Sequence, residues 1–272
     1  MGRNGMKKLR QALDAGEKLI GPFCVSNSPT LVEVVGYAGF DFVIIDCEHA
    51  STAATGSELE NMVRAAYAAG IAPLVRTTKN NPSQILKAFN FGAQAVIVPH
   101  VNTREDAQAA VASGKYAPVG RMSCAPPVRA AKHGFIDWPE FYQQQLRDTL
   151  VIPLVEEDLG LSNIEAIAGV PGLGGVFFGP FDLAVSRGSP AAVYDLKTHA
   201  AERRTVYGAA KKHGLPVMDL AWDIESAKAM LELGADMIAL GTDITLFANS
   251  CKELRKLVEA TKLAVAAAKK VA

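Results

Sequence analysis

The chain has no net charge to steer it: its 28 lysines and arginines are offset by 28 aspartates and glutamates. Bulk attraction to nucleic acid or an anionic membrane is therefore not expected, and no basic run with interleaved aromatics marks nucleic-acid contact. No stretch approaches the roughly 20 apolar residues of a membrane-spanning helix. The basic opening, Met1 to Lys8, is followed by no apolar leader segment. Cysteines are few. Cys24, Cys47, Cys124 and Cys251 lie far apart and form no CxxC pair, the pattern of reduced thiols in a cytoplasmic protein.

Several catalytic signatures are missing too. No GxGxxG follows the first strand-like run, which counts against an open, doubly wound dinucleotide-binding sheet. No GxSxG nucleophile elbow occurs. Imine chemistry needs a buried lysine at a strand end. Lys79 is the only lysine near one, and it precedes the turn Asn80-Asn81-Pro82.

What is present is rhythm. Eight apolar runs of strand length recur: Leu19–Val25, Phe42–Asp46, Ala72–Thr77, Ala95–Pro99, Leu150–Val155, Gly174–Gly179, Leu215–Leu220 and Met237–Gly241. They are rich in Val, Ile and Phe and alternate little, as strands buried on both faces do. Helical patterns lie between them, such as Ser57–Ala69, Ser83–Asn90 and Ile224–Leu233, with Gly70 and Gly234 placed to end helices. Strand and helix repeated eight times predict a (β/α)8 TIM barrel. A 272-residue chain suits one such domain. Two segments stand outside the rhythm: a long excursion at 101–149, of the kind that builds site walls or subunit contacts, and a helical tail at 250–272.

Polar residues at the carboxyl ends of barrel strands converge on one point. Glu156 and Asp182 each follow a strand-like run. Two carboxylates with open coordination positions suit a hard divalent ion, Mg²⁺ or Mn²⁺; a solvated acidic loop at 156–158 and a turn cap at Asp182 are the competing readings. His49 closes Asp46-Cys47-Glu48-His49, where imidazole can serve as a general base. Arg76 is a cation at a strand end, either a clamp for a substrate carboxylate or a buried salt bridge to Asp46 or Glu48. Gly241-Thr242-Asp243 is a tight turn or a phosphate loop.

These pieces resemble the HpcH/HpaI aldolase family. The resemblance rests on Gly39 to His49, Pro73 to Arg76, Phe91 to Pro99, Val155-Glu156, Gly179-Pro180-Phe181-Asp182-Leu183 and Ala239 to Asp243. It implies a barrel of the phosphoenolpyruvate/pyruvate type, hexameric, with the last helix exchanged between paired subunits. It implies that Glu156 and Asp182 bind the metal (Mg²⁺ or Mn²⁺, with Co²⁺ admissible), that Arg76 holds pyruvate, and that His49 is the base beside Asp46. Gly179, Pro180 and Phe181 would line the 2-oxo acid, with the backbone amide beside Asp182 holding its carboxylate. The chain departs from the family at Asn90, where an aspartate commonly partners the histidine; at Leu154, commonly Gln; at Phe23, frequently Trp; and across Ala117 to Ser123.

The expected activity is carbon–carbon bond cleavage or formation in a 4-hydroxy-2-oxo acid through a pyruvate enolate, with pyruvate or oxaloacetate and an aldehyde as partners. Decarboxylation of oxaloacetate or a specialised condensation on the same site is the alternative, and a barrel whose catalysis has lapsed is the third.

Overall fold

A computed structural model describes residues 6–53, 55–189 and 198–271, with residues 267–271 described as backbone alone. Eight parallel strands close a barrel in chain order: β1 Leu19–Cys24, β2 Phe42–Asp46, β3 Ala72–Arg76, β4 Ala95–Val98, β5 Leu150–Val155, β6 Val176–Phe178, β7 Val217–Ala221 and β8 Met237–Thr242. The expected (β/α)8 architecture is thus the observed one, and every expected strand overlaps an observed strand.

Side chains sort into two layers. Phe23, Phe42, Ile44, Leu74, Ile97, Ile152, Leu154, Phe177 and Met218 fill the barrel interior, while Val43, Ile45, Val75, Val96, Val151 and Phe178 pack against the surrounding helices. Both faces are dry, which is why these runs lack polar alternation. Gly21 is fixed by close packing: a Cβ there would sit 2.0 Å from the Phe42 carbonyl oxygen. The register of β1 against β8 shifts between Gly21 and Phe23.

Local signals place the helices. Pro82 opens the helix Pro82–Phe91, and the Asn81 side chain accepts from the Ser83 and Gln84 amides, a cap that satisfies otherwise orphaned donors. Thr103 with Asp106 and Asp223 with Ser226 form capping boxes at Arg104–Gly114 and Ile224–Leu233.

Only the start of the excursion, at Asn102, stays beside the strand carboxyl ends. Helix Arg104–Gly114 descends to the amino-terminal end of the barrel, and the chain stays there until β5 begins. Arg129 donates to the Phe91 carbonyl at 2.6 Å, Tyr142 donates to the Ala117 carbonyl, and Lys115 reaches Leu146 O at 3.0 Å. The short helix Leu9–Asp14 plugs the same end, with Leu9 and Ala12 in the interior core. Lys115 is buried, and burial pushes its amine down to about 8. Its position below β5, away from the strand carboxyl ends, keeps it out of the site.

The tail is longer than the sequence pattern suggests. A single helix runs from Asp243 to Val271, 29 residues, or about 43 Å at 1.5 Å per residue; Ala272 lies outside the described residues. It meets the barrel only near its start. Phe247, Leu254, Leu257, Leu263 and Val265 are exposed along it. Among the described residues, no helix is long and apolar enough to cross a membrane.

Candidate active site

Parallel pairing sets Asp46, the last residue of β2, beside Arg76, the last of β3. Arg76 Nε donates to Asp46 Oδ1 at 2.8 Å and Nη2 to Oδ2 at 2.7 Å. Asp46 is fully buried, and its oxygens also accept the Glu48 and His49 amides, at 3.0 and 3.3 Å. The carboxylate therefore shapes the Asp46–His49 turn as well as orienting the guanidinium. Arg76 Nη1 stands 3.4 Å from Glu48 Oε2. Its guanidinium carbon lies 4.7 Å from the Phe23 ring centroid, a cation–π contact. Burial works against the charge, but Asp46 and Glu48 outweigh it and hold the guanidinium's pKa above its ordinary value. Both readings of Arg76 are compatible here. Two of its five N–H groups serve Asp46, and a substrate carboxylate would share the others with Glu48.

Glu156 follows β5 and is 2% exposed, so it is no part of a solvated loop. Beneath it lies Leu154, facing the dry interior. Burial, with Asp182 adding repulsion, pushes the Glu156 carboxyl up to about 8 despite a hydrogen bond from the His100 amide to Oε1 at 2.9 Å. Gly179 makes room for this side chain: a Cβ at 179 would sit 2.6 Å from Glu156 Cβ. Asp182 stands in the first turn of the helix Pro180–Ser186, half-buried, and no hydrogen bond or ion pair from the described residues engages it. Pro180 carries no N–H, and the Gly179 N–H donates to Val155 O at 2.9 Å. These two residues therefore shape the turn rather than offer donors; Phe181, half-buried, follows them.

A desolvated carboxyl facing a second carboxylate is a donor set that a divalent cation fits, and the His100 ring stands beside it, Nδ1 3.4 Å from Glu156 Oε1. Among the described residues no cluster of three or more His, Cys, Asp or Glu forms a closed cage. Two carboxylates leave coordination positions open, as catalysis requires.

His49 is exposed at the rim, its Nε2 3.9 Å from Glu48 Oε2. Asn90 sits in the last turn of Pro82–Phe91, at the opposite end of the barrel. Within one chain it does not meet His49. Asp243, after β8, is tied back to β1 by hydrogen bonds from Cys24 Sγ at 3.1 Å, Val25 N at 3.0 Å and Ser26. A buried carboxylate in this turn disfavours phosphate there.

One residue at the site has no sequence signature. His100 follows β4 with its backbone at φ 55°, uncommon for a non-glycine residue and associated with functional sites. Its Nδ1 lies 2.8 Å from Glu157 Oε1, and its Nε2 lies 3.5 Å from Glu48 Oε1. Asn102 Nδ2 holds the other Glu157 oxygen at 2.8 Å. Burial opposes the charged ring, but Glu156, Glu157 and Glu48 prevail and raise its pKa. The only hint in the sequence is a histidine just past a strand-like run; its partners are about 50 residues away on either side.

Comparisons with known proteins identify the family. Residues 19–250 match the model of the family described as HpcH/HpaI aldolase/citrate lyase. The 5-keto-4-deoxy-D-glucarate aldolase of Klebsiella pneumoniae is 33% identical over 247 residues, covering 91% of this chain and 94% of the relative. The crystal structure of an HpcH/HpaI aldolase/citrate lyase family protein from Burkholderia cenocepacia superposes with a TM-score of 0.86 at 28% identity, covering 93% of this chain and all of that one. The citrate synthase SbnG superposes with a TM-score of 0.84 at 27% identity, covering 94% and 99%. The chain is a carbon–carbon lyase and belongs to the HpcH/HpaI aldolase/citrate lyase family.

Proposed function

We propose that the chain is a divalent-metal-dependent aldolase that cleaves a 4-hydroxy-2-oxo acid to pyruvate and an aldehyde, or joins the two. The observation that carries this reading is the pairing of buried Glu156 with Asp182 on the same rim as the Arg76–Asp46 fork. Glu156 and Asp182 would hold the cation, Mg²⁺ or Mn²⁺, with Co²⁺ also suited. Bound there, it would act as a Lewis acid toward the 2-oxo acid's ketone and carboxylate oxygens.

The chain's own groups do the rest. Asp46 fixes the guanidinium plane, so the remaining Arg76 donors meet the 2-oxo acid in one orientation. They favour the oxygen on which negative charge grows as the carbon–carbon bond breaks. His49, exposed at the rim, takes the proton of the 4-hydroxyl group. Phe23, Leu154 and Phe177 keep water from the floor. Asn90 remains in this reading only as a group presented by a neighbouring copy.

The apolar stripe on helix Asp243–Val271 supports a homo-oligomer. Phe247, Cys251, Leu254, Val258 and Val265 recur at spacings of four, three, four and seven, which places them on one face. The hexamer is carried over from the family resemblance.

The direct test supplies a panel of 4-hydroxy-2-oxo acids and follows pyruvate release with divalent metal and after chelation. Release that chelation stops supports the reading; no release from any member counts against it. The likeness to a citrate synthase favours a second reading, a condensing or oxaloacetate-decarboxylating enzyme on the same site. Oxaloacetate decarboxylation without aldol activity would select it.

A further inference from the structure

The mouth of the site carries a feature that borders the pyruvate end, since Glu48 faces Arg76 and the His100 amide holds Glu156. Glu48 after β2, His100 after β4 and Glu157 after β5 join into one bridge. His100 Nδ1 engages Glu157 Oε1 at 2.8 Å, and His100 Nε2 faces Glu48 Oε1 at 3.5 Å. Asn102 secures the far Glu157 oxygen at 2.8 Å. The bridge stands on the same rim as Arg76 and Glu156, and the His100 side chain is half exposed.

The sign of its charge does not depend on the state of the ring. Two carboxylates and one imidazole sum to about −1 with the ring protonated and −2 with it neutral. Arg76 and His49 face its Glu48 end, at 3.4 and 3.9 Å, and Asp46 offsets the Arg76 charge. Arg187 is paired with Asp158 and Glu202, and Arg129 lies under the barrel against Phe91 O. Lys79, exposed after β3, forms no ion pair with the bridge. Arg76 is shared between Asp46 and Glu48.

We propose that the Glu48–His100–Glu157 bridge is the aldehyde-side wall of the site and selects an uncharged aldehyde over a carboxylated one. The proposal rests on the enolate reading above. In the joining direction, pyruvate C3 gives up a proton and bonds to the aldehyde carbon, whose oxygen takes up a proton; nothing is oxidised or reduced. The incoming aldehyde reaches that carbon past the bridge. A second carboxylate there meets like charge in a partly desolvated mouth, which discriminates strongly between partners. This separates the chain from its relatives named for 5-keto-4-deoxy-D-glucarate. That substrate is a dicarboxylic acid, so releasing pyruvate from it leaves a carboxylate on the aldehyde.

Glycolaldehyde and glyoxylate differ little in size but differ by one charge, and they make the test. With pyruvate and divalent metal, kcat/KM for glycolaldehyde should exceed that for glyoxylate by at least about tenfold. Glu157→Gln, which keeps the shape and removes a charge, should narrow that ratio several-fold, and raised ionic strength should narrow it in the wild type. Equal use of the two aldehydes, a preference for glyoxylate, or a ratio unmoved in Glu157→Gln overturns the proposal. Deuterium exchange into the pyruvate methyl group without aldehyde is measured alongside. Exchange without aldehyde discrimination defeats this inference alone, whereas absence of exchange defeats the enolate reading and the inference with it.

Discussion

Arg76 and Asp46 meet through two parallel hydrogen bonds, 2.8 and 2.7 Å long, at the ends of paired strands β2 and β3. The geometry is the bidentate fork that arginine makes with carboxylate and lysine cannot. Because Asp46 also accepts two turn amides, the pair couples the orientation of the guanidinium to the position of His49.

Two substitutions separate these roles. Arg76→Lys keeps the charge and loses the fork, so kcat/KM toward the 2-oxo acid should fall about a hundredfold with the fold retained. Asp46→Asn leaves a buried guanidinium without its main counter-charge and should cost about 3 kcal/mol in urea unfolding. Near-normal turnover in Arg76→Lys would mean that the fork is structural alone.

Glu156 and Asp182 predict a thermal response. Divalent cation at about 100 times its dissociation constant should stabilise the protein by about 2.7 kcal/mol, read as a rise in melting temperature that chelation reverses. Glu156→Gln and Asp182→Asn should each abolish the rise. A full response in both variants would place the cation elsewhere.

Asp243 predicts a pH dependence. Burial would push its carboxyl up, but hydrogen bonds from Ser26, Val25, Cys24 and Ile244 more than offset it, leaving its pKa below the ordinary value. As pH falls, the unfolded chain takes up that proton first, at about pH 4. The stabilisation is therefore complete above that pH and is lost as pH falls through the lower, folded value. Asp243→Asn should cost about 2 kcal/mol at pH 7, and the gap to wild type should shrink below about pH 4. A gap unchanged at acid pH would show that the ionised form is not what the fold uses.

The exposed stripe on helix Asp243–Val271 predicts association. Charging it with Leu254→Glu and Val258→Glu should reduce the solution mass measured by light scattering, while the barrel's circular dichroism is retained. An unchanged mass would exclude this face as the contact.

Much of the barrel was legible because its strands are buried on both sides. Runs such as Phe42-Val43-Ile44-Ile45 read as strands without any helical alternative, and Asp46, Arg76 and Glu156 stood out as polar residues closing them. Gly179 was legible as a motif, though not as the space beside Glu156. His100 was not legible, since Glu48 and Glu157 become its neighbours only when β2, β4 and β5 align. Most of the 101–149 excursion lies away from the strand carboxyl ends for a related reason, which leaves subunit contact as its open role. A helix must first carry the chain down the barrel before β5 can run parallel, so the residues before β5 gather at the amino-terminal end. Asn90 lies at that end too, which is why it and His49 do not meet in one chain.

The most direct measurement is proton–deuterium exchange at the pyruvate methyl group, followed by NMR with no aldehyde present. Wild type with Mg²⁺ or Mn²⁺ should exchange the methyl protons, chelation should stop exchange, and Glu156→Gln should be inactive with either metal. Exchange that persists without metal, or at full rate in Glu156→Gln, would contradict an enolate site built on Glu156 and Asp182.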